Sequence, residues 1–160
     1  MRKSLILFTL LCLTASSSPK QEPLFRSAYV GMSIAEVRDS EQLPFETLAD
    51  GAVKILQYPY LSPESDSAYV YYLFPQKSNS RLSIAGYIYY IEDDNARTLL
   101  ADKLTQQYSN IYGEGTSRND ANFQGYSWNL PDKALIIYND LGAQAVEQFY
   151  YDYEFIQQQY

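Results

Sequence analysis

The sequence predicts an α+β fold in which two helices pack on one face of a mostly antiparallel sheet of about six strands. Three observations predict it. Seventeen tyrosines and seven phenylalanines in 160 residues favour strands, because aromatic rings fit the half-buried pleated surface of a sheet. Several segments alternate with the period of two that a strand imposes. Two others open with helix-start signals and continue with apolar residues at three- and four-residue spacing.

In chain order, residues 1–17 come first. Arg2 and Lys3 precede an apolar run from Leu5 to Leu13, and Thr14-Ala15-Ser16-Ser17-Ser18 then offers small residues to a signal peptidase, the pattern of an export signal. The run is too short for a hydrocarbon core of about 30 Å, so no stable membrane span is expected. Cys12 is the lone cysteine and lies inside this run. Lipidation there is the less favoured alternative, since Leu10-Leu11 precedes the cysteine where a lipoprotein signal wants a small residue. Residues 18–28 read as a flexible linker, 29–156 as a single domain and 157–160 as a polar tail.

The first helix is signalled at Met32-Ser33-Ile34-Ala35-Glu36-Val37. Ser33 can cap the backbone, Glu36 can return the bond, and Met32 can staple onto Val37; the helix ends near Glu41, ahead of Leu43-Pro44. Ala52 to Tyr58 reads as a strand ended by Pro59. Ala68 to Phe74 and Ser83 to Ile91 are apolar or aromatic on both alternating faces, as in central strands, with Pro75 to Ser80 as their hairpin loop. A second helix from Asp94 or Asn95 to about Ile111 carries Ala96, Leu100, Leu104, Tyr108 and Ile111 on one stripe beside Leu99, with Gly113 as a left-handed C-cap.

Three further strands follow, Gly125 to Leu130, Ala134 to Asn139 and Ala145 to Phe155, joined by Pro131-Asp132-Lys133 and Asp140-Leu141-Gly142. In the last, Phe149, Tyr151, Tyr153 and Phe155 are expected to meet the core, and Gln148, Tyr150, Asp152 and Glu154 to meet water. Ser33 to Ile91 spans 59 residues and Asn95 to Phe155 spans 61, which suggests a duplicated α-β-β-β unit.

Composition narrows the chemistry. Histidine is absent and Cys12 leaves with the signal, so imidazole and thiolate bases, nucleophiles and metal ligands are missing from the mature chain. Twelve basic against nineteen acidic residues give a net charge of −7, which becomes −9 once Arg2 and Lys3 are removed. Nucleic acid and anionic lipid are poor partners for such a chain, whereas a basic protein would be drawn to it. Glu92-Asp93-Asp94 sits where a helix begins and reads as a cap. Asn119-Asp120-Ala121-Asn122 and Asn139-Asp140-Leu141-Gly142 lack the ligand spacing of a calcium loop and read as turns. No metal or cofactor site is expected, and no catalytic residue.

Tyrosines are the remaining signal. With helices on one face of the sheet, the opposite face is expected to hold Tyr69, Tyr71, Tyr87, Tyr89 and Tyr150. Exposed tyrosines suit binding because the ring buries apolar area at little entropic cost; the alternative is that they form ordinary cross-strand pairs. Trp128 joins them as a candidate partner-binding side chain and, with a carboxylate pair, as a stacking platform for a sugar.

At Gly31-Met32-Ser33 with Glu36-Val37, the sequence resembles the entry to the first helix of the SmpA/OmlA outer-membrane lipoprotein domain and of the related β-lactamase-inhibitor-protein fold. The match covers about seven residues, and the lipobox cysteine of SmpA/OmlA is missing. The resemblance implies a non-enzymatic envelope protein that binds another protein, with a bacterial periplasm as its compartment and secretion as the alternative; it carries over no functional residue. The functional expectation is a small extracytoplasmic protein-binding module. Its alternatives are an inhibitor or immunity-type protein against a basic secreted enzyme, and a carbohydrate binder or carboxylate-pair glycosidase.

Overall fold

A computed structural model describes residues 22–119 and 123–154. The expected export signal with Cys12, Asp120 to Asn122, Phe155 and the 157–160 tail lie outside the described residues.

The first helix, α1 (Ile34–Glu41), starts at the expected capping box: Ser33 Oγ accepts the Glu36 N–H at 3.3 Å, and Glu36 Oε2 accepts the Ser33 N–H at 2.7 Å. Those bonds hold the Glu36 carboxyl below its ordinary range. After α1 come β1 (Glu46–Asp50), β2 (Val53–Tyr60), β3 (Ser67–Pro75) and β4 (Ile84–Tyr90). The second helix, α2 (Asp94–Tyr112), begins at Asp93, whose side chain accepts the Ala96 N–H at 2.7 Å, so the acidic run there is a cap. It leads to β5 (Thr116–Asn119), β6 (Phe123–Asn129), β7 (Lys133–Asp140) and β8 (Ala145–Asp152).

The strands form one antiparallel sheet in the order β1-β2-β3-β4-β8-β7-β6-β5. Eight strands replace the six expected, and each helix is followed by four strands instead of three. The two missed strands, β1 and β5, are the two edges of the sheet. Every residue in both is exposed, so neither carries the one-sided apolar pattern that betrays a strand, and short polar edges are how sheets avoid pairing with other chains. Pro59 does not end β2. It lies beyond the reach of β1, whose pairing stops at Gln57, and faces Tyr69 in β3, an edge position where a missing N–H is tolerated.

The halves meet along β4 and β8, the last strand of each. At that seam Gly86 is required sterically, because a Cβ there would fall 1.9 Å from the Gln148 carbonyl oxygen. Gly113 has φ +85° and ψ −171°, outside the left-handed helical conformation expected for it. That conformation occurs instead at Gln42, which closes α1.

Both helices cover the same face of the sheet, through two adjoining cores. Beneath α1, Val37 packs with Leu56, Tyr58, Val70, Tyr72 and Phe74. An eight-residue helix is too short to cover four strands, and residues 22–28 complete the layer. Expected within a linker, they instead bury Leu24, Phe25 and Ala28 in that core. Glu41 anchors the segment, accepting from Arg26 Nε at 3.0 Å and Ser27 Oγ at 2.7 Å. Beneath α2, Leu100 and Ala101 pack on Trp128, Leu135, Ile137 and Val146. The buried stripe of α2 includes Arg97 and Ala101, whereas Ala96 and Ile111, expected on it, are exposed, as is Leu99, expected beside it. Arg97 donates to Asn139 Oδ1 and to the Ile91 carbonyl, both at 3.0 Å, and pairs with Asp94. The guanidinium thereby ties α2 to β7.

Candidate functional site: the helix-free sheet face

Strand register decides which side chains share a face, because a shift of one residue moves every side chain to the other side. The β3–β4 hairpin pairs Tyr69 with Ile88, Val70 with Tyr87, and Tyr71 with Gly86. Tyr69 and Tyr71 therefore share the helix-free face with Ile88 and Tyr90, while Tyr87 and Tyr89 share the other with Val70 and Ala68. The pairing of β4 with β8 puts Tyr150 opposite Ala85, again beneath the helices. Of the five tyrosines expected together, two are on the helix-free face and three are on the covered one.

The three covered tyrosines and Trp128 are engaged in the core. Tyr87 meets Phe25 edge-on at 4.9 Å, and Tyr89 is 7% exposed. The Tyr150 hydroxyl bonds that of Tyr108 at 3.1 Å, and Gln148 Nε2 donates to the same Tyr108 oxygen at 2.8 Å. Burial pushes the Tyr150 phenol well above its ordinary range. Trp128 is 3% exposed and donates Nε1–H to the Gly113 carbonyl at 2.9 Å. Its ring has no face free to stack on a sugar. The last strand also inverts the expected sides: Gln148 and Tyr150 lie under the helices, and Phe149 and Tyr151 lie on the helix-free face.

That face is rich in apolar and aromatic side chains. Tyr69 meets Tyr71 at 6.2 Å and Tyr90 at 6.1 Å, both edge-on. Phe149 and Tyr151 form a further edge-on pair at 6.2 Å, and Phe123 and Tyr138 a tilted pair at 5.5 Å. Tyr69, Tyr71, Tyr90, Tyr138 and Tyr151 are all half-buried, and Phe149 is 6% exposed. The Tyr71 phenol is raised by burial first and by the neighbouring Tyr90 hydroxyl second.

Ionisable groups on this face are mostly acidic. Glu46, Asp50, Asp140 and Glu147 share it with Arg118, as the pairings show. Asp140 closes the β7–β8 turn by accepting the Gly142 and Ala143 N–H groups, both at 2.9 Å. Among the described residues, Glu147 has no comparable structural partner. Burial, reinforced by the Asp140 charge, pushes its carboxyl up to about 7. The sequence held one signal for it: Glu147 alternates with Phe149, Tyr151 and Tyr153, a charge on the strand side expected to be apolar. Among the described residues, no group of three or more His, Cys, Asp or Glu is placed to hold a metal ion. No helix among them is long and apolar enough to cross a membrane. No family model, curated protein or solved structure matches the chain.

Proposed function

We propose that this protein is a small extracytoplasmic binding module that engages a basic protein partner through the helix-free face of its sheet. One observation carries the reading: helices cover one face of an eight-stranded sheet, and among the described residues the other presents half-buried tyrosine and isoleucine with four carboxylates and one arginine. Contiguous apolar surface rimmed by charge marks interaction sites, and tyrosine is among the residues enriched in binding hot spots. The net charge of −7 adds long-range steering toward a cationic surface. The resemblance at Gly31 to Val37 implies the same class of function. Lack of histidine throughout, and of cysteine beyond Cys12, supports binding over catalysis.

The test is affinity capture from an envelope extract with the purified chain and with a Tyr69→Ala/Tyr71→Ala double variant. A basic protein retained by the first, lost with the second and released by raising salt from 0.05 to about 0.5 M is the expected result. Equal retention by both chains rules this face out as the binding surface. The inhibitor reading is the narrower case in which the captured protein is an enzyme that loses activity in the complex.

A further inference from the structure

Glu147 stands where a carboxylate has no structural task. Its strand, β8, is central, with β4 on one side and β7 on the other, and it faces Ile88 and Tyr138 directly across the helix-free face. Side chains opposite one another in a sheet have Cβ atoms about 5 Å apart, so both pack against the Glu147 stem. Tyr90 and Asp140 occupy the diagonal positions. The Tyr69, Tyr71 and Tyr90 rings lie to one side, and Tyr138 with Phe123 to the other. Tyr71 is near enough for its phenol to feel the Glu147 charge.

The carboxylate nevertheless makes no hydrogen bond or ion pair among the described residues. In its own row across the sheet the cation is Arg118, three strands away, with Nε already donated to Ser127 Oγ at 2.8 Å. A half-buried, unpaired carboxylate is unfavourable in the free protein and becomes favourable once a cation covers it. An aromatic ring beside such a carboxylate attracts the same cation through its negative face, and Tyr90 stands at the diagonal position. Guanidinium suits the place better than ammonium, because it is planar, weakly hydrated, stacks on aromatic faces and matches a carboxylate with two parallel N–H groups.

We infer that Glu147, walled by Tyr71, Tyr90 and Tyr138, is the recognition site for an arginine side chain of the basic partner. The inference rests on the reading of the helix-free face as the binding surface, and deepens it. Proton and guanidinium compete for one carboxylate, so occupancy weakens as pH falls from 8 to 6. Asp140, already committed to its turn, stays outside the contact.

The test uses the purified full chain with n-butylguanidinium, its neutral isostere n-butylurea, and n-butylammonium, followed by carboxyl and tyrosine-ring NMR. At pH 8, n-butylguanidinium should bind with a Kd on the order of 10 mM, as its size allows. It should lower the Glu147 titration midpoint and shift the Tyr71 and Tyr138 ring signals. Glu147→Gln, which keeps the shape and removes the charge, should weaken binding at least tenfold, and n-butylurea should bind no better to the parent chain than to that variant. Equal binding of the urea, an unmoved Glu147 midpoint, or an unaffected Glu147→Gln variant overturns the site. Tighter binding of n-butylammonium overturns the choice of arginine. If n-butylguanidinium titrates Glu147 while capture is indifferent to Tyr69 and Tyr71, the guanidinium site stands and the protein-binding reading falls. If capture needs those tyrosines while the guanidinium ignores Glu147, the reverse holds.

Discussion

Tyr71 and Tyr72 are neighbours in the chain and belong to different environments. Tyr72 points under α1, is 0% exposed, and packs against Phe25 and Phe45 with ring centroids 5.9 and 5.8 Å away. Tyr71 points to the helix-free side, half-buried, across from Gly86 in β4. The contrast is not uniform along the sheet: Tyr60 and Tyr126 on the covered side are 37% and 40% exposed, and Phe149 on the helix-free side is 6% exposed. Tyr58, Tyr72 and Tyr89 on the covered face are enclosed in the two cores and serve stability. On the other, Tyr69, Tyr71 and Tyr90 meet one another within the sheet and keep part of their area exposed. Residue type does not separate Tyr71 from Tyr72; the side of the sheet does.

The covered face should give the largest losses. Tyr72→Ala removes a fully enclosed ring, and a cost of about 3–5 kcal/mol in denaturant unfolding is expected. A loss below about 1 kcal/mol would mean that the layer over β3 is loose. Tyr72→Phe sharpens the point: its hydroxyl is buried beside the Glu41 carboxylate without a well-formed hydrogen bond among the described residues, so removing the oxygen should cost no more than about 1 kcal/mol.

Arg97→Ala comes next. It strips a 3% exposed guanidinium from Asn139, the Ile91 carbonyl and Asp94, leaving the first two acceptors buried, for about 2–4 kcal/mol. Hydrogen exchange should place the loosening at the α2–β7 contact.

Glu147→Gln tests the open face, and its sign depends on pH. The folded carboxyl is raised to about 7, above its unfolded value. Below the unfolded value both states are protonated and nothing is lost. As pH rises through the folded value, the folded state must carry a poorly solvated charge and loses stability. The parent chain should therefore weaken between about pH 4.5 and 7 relative to Glu147→Gln, and the variant should be more stable at pH 8 by about 1–3 kcal/mol, allowing for partial solvation. A variant no more stable at pH 8 than at pH 4 relative to the parent contradicts this account of Glu147.

Tyr71→Ala should have the smallest effect on folding. Its half-exposed ring flanks Gly86, and about 1 kcal/mol is expected from the lost cross-strand contact, against at least a tenfold loss of partner binding. A stability loss as large as that of Tyr72→Ala would erase the distinction between the faces.

Much of the fold was legible because its signals are local. Ser33 with Glu36, Asp93 at the start of α2, and the alternation in β3, β4, β7 and β8 act over a few residues, and the helices and six of the strands formed where those signals lie. The edges β1 and β5 were not legible, since Glu46–Asp50 and Thr116–Asn119 are exposed at every position and look like loop. Nor was the role of Leu24, Phe25 and Ala28, which becomes visible only against the surface left bare by a short α1. For the candidate site, Tyr69 and Tyr71 were read onto the correct side of the sheet relative to the helices, and Tyr87, Tyr89, Tyr150 and Trp128 were not. Tyr90, Tyr138 and Glu147 were missed.

By itself, the sequence determined the α+β class, the antiparallel pairing of consecutive strands, the helix starts, and the absence of histidine throughout and of thiols beyond Cys12, because these follow from composition and from contacts within a few residues. Tertiary structure alone decided how many strands join the sheet, which parity of each strand faces the helices, and that Glu147 stands among aromatic rings with no cation beside it among the described residues. Those outcomes depend on register between strands far apart in the chain, and register is set by packing across the whole sheet.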